Sequence, residues 1–125
     1  MVLGDERGQT TLELALCLPI VAVLLAGVVE TGVVVSDQAR LLHAAREAAR
    51  VAIVDSDPAA ARTAAGDAGL EPLHLSVSPG PRFRVPGDPL TVSLTYSPAA
   101  RIPMIGSLFS GLQMHASATM RIEDP

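Results

Sequence analysis

Along the chain, apolar positions change their rhythm twice. Leu14 to Val29 is sixteen residues without a charge, and apart from Glu30 the uncharged stretch continues to Ser36. From Asp37 to Val54 the rhythm is helical, with Leu41, Ala45, Ala48 and Ala52 on one stripe and Leu42, Ala49 and Ile53 beside it. After Pro72 the period drops to two: Leu73, Leu75 and Val77 alternate with polar residues, as do Leu90, Val92, Leu94 and Tyr96. A third alternation places Leu112, Met114, Ala116, Ala118, Met120 and Ile122 on one face. The pattern predicts a long helix, then a small antiparallel sheet whose apolar face needs a cover.

The first regime is long enough to cross a bilayer, since residues 14–36 at ~1.5 Å per residue reach ~34 Å against a hydrocarbon core of ~30 Å. Pro19 removes one backbone hydrogen bond and is expected to bend this helix without ending it. Between the apolar run and the amphipathic run only Gly32 could interrupt, so one helix from about Leu12 to Val54 is expected, ~65 Å long. Asp55-Ser56-Asp57-Pro58 ends it and starts a second helix, with Asp57 as N-cap and Pro58 in the first turn, running to about Ala68 and stopping at Gly69. Breaks at Ser78-Pro79-Gly80-Pro81 and Pro86-Gly87-Asp88-Pro89 isolate Arg82 to Val85, read as a short edge strand with Phe83 inward in preference to an anion site. The apolar run Ile102-Pro103-Met104-Ile105 with Leu108 and Phe109 either folds over the sheet edge or meets another subunit. The fold class is α+β: a long N-terminal helix, half transmembrane and half amphipathic, packed on a small antiparallel sheet.

Two other roles for the apolar segment fail on detail. Residues 1–7 hold two acids and one base, and no Ala-x-Ala site follows, so a secretory signal peptide does not fit. Leu14-Ala15-Leu16-Cys17 resembles a lipobox, but Leu16 stands where a small residue is required and Cys17 opens the apolar run instead of closing it.

Composition narrows the function. The chain is 49% hydrophobic, 18% charged and 2% aromatic, which suits one small domain beside one membrane segment. Residues 37–125 hold eight arginines against nine acids, so no electrostatic footprint for a nucleic acid exists. Cys17 is the single cysteine, which rules out an internal disulfide. His43, His74 and His115 fall on separate elements and polar faces without partners at ligand spacing, and are read as surface residues. No nucleophile elbow, glycine-rich phosphate loop or paired carboxylate is present, so neither catalysis nor a cofactor is expected.

The two carboxylates of the apolar segment are the candidate chemistry. An acid deep in a bilayer costs about 2.5–3.5 kcal/mol on insertion scales. Glu13 stands at the inner end after Gln9, Thr10 and Thr11, and Glu30 near the outer end, where it is expected to reach water; both positions are explained simply as helix-end markers. A short polar leader ends in Gly8, and Gln9-Thr10-Thr11-Leu12-Glu13 follows at once. This resembles a type IV prepilin cleavage site, cut after the glycine, with glutamate at the fifth position of the product. A cut between Gly8 and Gln9 would create a free amine at the head of the helix, and Glu13, about one turn along, could neutralise such an amine on a neighbouring subunit.

The longer string Arg7-Gly8-Gln9-Thr10-Thr11-Leu12-Glu13-Leu14-Ala15, then Leu18-Pro19, Gly27-Val28-Val29-Glu30-Thr31-Gly32 and Ala44-Ala45-Arg46-Glu47-Ala48-Ala49-Arg50, is similar to the TadE-like family, pseudopilins of the tight-adherence (Tad or Flp) pilus systems. The last strand, His115 to Glu123, is similar to that family's C-terminal end, while the middle of the chain adds nothing. Leu14 and Thr31 stand where such proteins often carry an aromatic residue.

The resemblance implies a type IV pilin-like fold with a leader over residues 1–8, a transmembrane helix over 9–36 and an extracytoplasmic domain over 37–125. It implies Gly8 and Gln9 as the processing site, with Glu13 and Glu30 serving helix registry and assembly. It further implies no enzymatic activity, and as partners the lipid bilayer, a prepilin peptidase, other pilins or pseudopilins and the pilus assembly platform. The implied placement is the cell membrane, single-pass, with a cytoplasmic N-terminus. The positive-inside count, Arg7 before the span against Arg40, Arg46 and Arg50 after it, points the other way, but carries little weight ahead of a domain longer than about 60 residues. The alternative is an unprocessed single-pass anchored protein with a binding or structural role in the envelope.

Overall fold

The computed structural model describes residues 6–99, 107 and 110–123. The first five residues of the leader and the apolar run Ile102–Ile105 with Leu108 and Phe109 lie outside them. Helix α1 spans Glu6–Val54 without a break, passing through Pro19. Helix α2 spans Pro58–Gly66, and three strands follow: β1 Leu73–Ser78, β2 Pro89–Tyr96 and β3 Met114–Arg121. The strands form one antiparallel sheet in the order β1-β2-β3. This is the α+β arrangement of a long apolar helix and a small sheet that the periodicity predicts.

The corner between the helices is built from local chemistry. The Asp57 side chain accepts from the amide of Ala59 at 2.9 Å, and Asp57's own amide donates to Asp55 Oδ1 at 2.8 Å, so two otherwise orphaned amide donors are satisfied at the turn. Pro58 fills the first turn, where its missing N–H costs nothing. Beyond α2, Gly69 takes φ +68°, a conformation that favours glycine, and its amide donates to Gly66 O at 3.0 Å.

Sheet and helix meet through small residues on one side and branched ones on the other. Ala45, Ala48 and Ala49 of α1 are fully buried, as are Leu90, Val92 and Leu94 of the central strand. Alanine keeps the helix face shallow, so α1 packs against both β2 and β3 while α2 packs beside it. Leu70, Tyr96, Met114, Ala116 and Ile122 close the core. On the opposite face of the sheet, facing residues join across strands: Thr91 and Thr119 hydroxyls lie 2.8 Å apart, and Thr95 Oγ1 lies 3.1 Å from His115 Nδ1.

Arg82 to Val85 departs from expectation. Pro81–Phe83 is a 3-10 turn, not an edge strand, and Phe83 is exposed. Arg84 supplies the reason. Its Nη1 donates to Ala52 O at 2.8 Å and to Asp55 O at 3.2 Å, so the guanidinium sits on the carbonyl end of α1, whose own last turn has no basic residue. That attachment draws the segment out of the sheet plane. Arg84→Ala is expected to lower domain stability by about 1–2 kcal/mol, the worth of a charge-assisted pair of bonds at a half-buried site, and the urea midpoint of unfolding measures it. An unchanged midpoint would remove this role from Arg84.

Candidate functional site

From Gly8 to Leu25 every residue of α1 is exposed, and nothing described packs on this stretch. The helix carries a window of mean hydropathy 2.6 with none of it buried, which is length and composition enough to cross a membrane. Cys17 is exposed within it. Further along α1 the Thr31 hydroxyl donates to Gly27 O at 2.8 Å, which satisfies that hydroxyl inside the helix.

Gly8 and Gln9 lie in the first turns of α1, and Gln9 Nε2 donates to Glu13 Oε1 at 3.2 Å. Side chains on a helix lean toward its N-terminus, so the Glu13 carboxylate lies over the turn that Gln9 begins. The arrangement brings Gly8, Gln9 and Glu13 together within about one turn. Glu13 is exposed, with Oε1 accepting from Gln9.

Glu30 is placed elsewhere and differently. It is 4% exposed, so the expectation that it reaches water is corrected. The cause is how far the folded domain extends back along α1. Glu30, Val34, Asp37 and Leu41 recur at helical spacing on the packed face, Asp37 is 2% exposed, and Val34 packs against the core. The exposed apolar part of α1 and the part that carries the domain therefore share the turns around Glu30. Asp37, the first residue of the amphipathic run, is thus a buried acid that the apolar pattern alone does not announce. Its seven-residue distance from Glu30, with Leu41 four further on, is the signal that places both acids on one face.

His43, His74 and His115 are exposed, and among the described residues no three or more His, Cys, Asp or Glu side chains gather into a metal-binding group.

Comparison with known proteins finds a match over this same part of the chain. Residues 8–50 match the family model of TadE-like proteins. The TadE-like segment begins at Gly8, includes Gln9, Glu13, Glu30 and Asp37, and ends on the packed part of α1, four residues before the helix stops. The sheet lies outside it. No curated protein and no solved structure matches the chain.

Proposed function

We propose that this protein is a membrane-anchored minor pseudopilin, processed by a prepilin peptidase and acting in assembly of a Tad/Flp-type pilus or a related secretion apparatus. The observation that carries the reading is where the TadE-like match begins. It starts at Gly8, Glu13 would be the fifth residue of a chain cut after that glycine, and the exposed apolar run of α1 follows at once. In this reading the N-terminus faces the cytoplasm, the sheet domain lies outside the membrane, and the chain works through contacts between helices, without catalysis.

The physics of the site supports the same role. Removing the leader places a charged amine at the head of a helix whose next residues enter lipid. An acid one turn along neutralises such an amine and also complements the positive end of the helix dipole. Glu30, buried beneath the domain, serves registry from within by fixing where the domain sits along the helix.

The mass of the protein recovered from membranes tests the reading. In a cell that has the peptidase, residues 1–8 are expected to be missing, and Gly8→Leu is expected to leave them attached, because the bulky side chain obstructs the cut. An intact Met1 on the unaltered protein would replace the pseudopilin reading with that of an unprocessed envelope anchor.

A further inference from the structure

One polar row crosses the whole sheet on the face turned away from α1. His74 of β1 stands opposite Thr95 of β2, and Thr95 stands opposite His115 of β3, so two imidazoles flank one hydroxyl. Both histidines are exposed, and Thr95 Oγ1 lies 3.1 Å from His115 Nδ1. With Nδ1 turned to the hydroxyl, the other ring nitrogen of His115, Nε2, is left to meet a ligand. The backbone at this end of β3 is tied to α1, since Gln38 Nε2 donates to His115 O at 3.2 Å.

We infer that His74 and His115 bind a divalent transition-metal ion of the zinc class between them, above Thr95. Two strand spacings of ~4.8 Å set the two Cα atoms ~9.6 Å apart. An imidazole Nε2 lies ~4.5 Å from its own Cα and a zinc–nitrogen bond adds ~2 Å, so two reaches of ~6.5 Å meet over the middle strand. The ligand type selects the class of ion. Neutral imidazole suits zinc, copper and nickel, whereas calcium and magnesium require an oxygen-rich set that this row lacks. A metal-bound imidazole is held in one tautomer and orientation by a hydrogen bond from its second nitrogen, and Thr95 is placed to accept that bond from His115.

The surroundings admit a cation. The next rows on this face are Ser76, Ser93 and Ser117, then Ser78, Thr91 and Thr119, all uncharged. Arg121 stands further along β3, ~20 Å from His115 at ~3.4 Å per residue, so water and salt screen its repulsion. Two imidazoles are fewer than the four protein ligands of a closed structural centre, and at this exposed face water completes the coordination. The bound ion staples β1 to β3 across β2, and so stabilises the sheet by binding only the folded arrangement. All three residues lie on the sheet, so the ion is held whether or not the leader is removed.

Calorimetric titration of the full chain in detergent micelles with zinc chloride tests this. Cys17→Ser is the background, so that no thiol competes for the metal. Zn2+ is expected to bind at one ion per chain and to raise the urea midpoint of unfolding, and Mg2+ to do neither. His74→Ala and His115→Ala are each expected to weaken binding at least about tenfold, and Thr95→Val, which keeps the branched shape, to weaken it about tenfold through the lost orientation of His115. His43→Ala, on α1, is expected to leave affinity unchanged, and because all three histidines are exposed these variants keep the fold. No saturable binding of Zn2+, an equal response to Mg2+, or equal affinities in the His74→Ala, His115→Ala and His43→Ala variants overturns the inference. Loss of binding in only one of the two sheet variants overturns the shared site.

Discussion

Replacing Ala48 by aspartate is expected to detach the sheet from α1 and leave the domain largely unfolded. Ala48 is fully buried where α1 faces the sheet, and it lies between Ala45 and Ala52 on a face too shallow to admit another polar group. Aspartate is short, so its carboxylate cannot reach water by extending along the surface as a longer side chain would. An uncompensated buried charge costs about 3–5 kcal/mol, and a domain of this size has about 0.05–0.15 kcal/mol of stability per residue, so the change removes a large part of the total. Tyr96 provides the measurement. It is the only tyrosine, the chain has no tryptophan, and its ring is buried in the core, so its fluorescence reports the loss of packing directly. Arg50→Asp, on the exposed face of the same helix, is expected to change stability by no more than about 0.5 kcal/mol. If the two variants unfold at the same urea concentration, α1 is not the cover of this sheet.

Glu13→Gln is expected to separate maturation from assembly. The substitution keeps the size of the side chain and its hydrogen-bonding reach toward Gln9, and removes only the charge. Leader removal and membrane insertion should proceed, because neither the Gly8–Gln9 bond nor the apolar length changes. Association should fall by more than about a hundredfold, since an amine left unpaired in a low-dielectric contact costs several kcal/mol and each ~1.4 kcal/mol is tenfold. The readouts are the mass of the membrane-bound chain, its recovery in cross-linked complexes, and the number of surface appendages on cells. Wild-type values in all three would remove Glu13 from the mechanism.

What the sequence discloses and what it hides divides along the reach of the forces involved. The continuity of α1, the Asp57 cap with Pro58 behind it, and the inward faces of β2 and β3 are written in spacings of two to four residues, and they are present as read. The Gly8, Gln9 and Glu13 grouping is legible for the same reason, because it fits within two turns of one helix. Phe83 is not. Arginine and phenylalanine alternate over Arg82-Phe83-Arg84 as in a strand, but Arg84 is claimed by carbonyls about thirty residues away in sequence, a contact that no local pattern announces. Glu30 is hidden in the same way. Its neighbours are apolar whether it ends a membrane helix or sits under a domain, and only the distance the domain reaches back along α1 decides between them.

The unbroken path of α1 makes the protein a rigid lever. With no break between the apolar arm and the sheet, any lean imposed on the exposed arm is carried to the far tip. The outer arm, from Ala26 to Val54, is ~43 Å long at ~1.5 Å per residue, so a lean of about 10° swings its end by ~7 Å. A small tilt at one end of the helix is thereby converted into a larger displacement of the sheet.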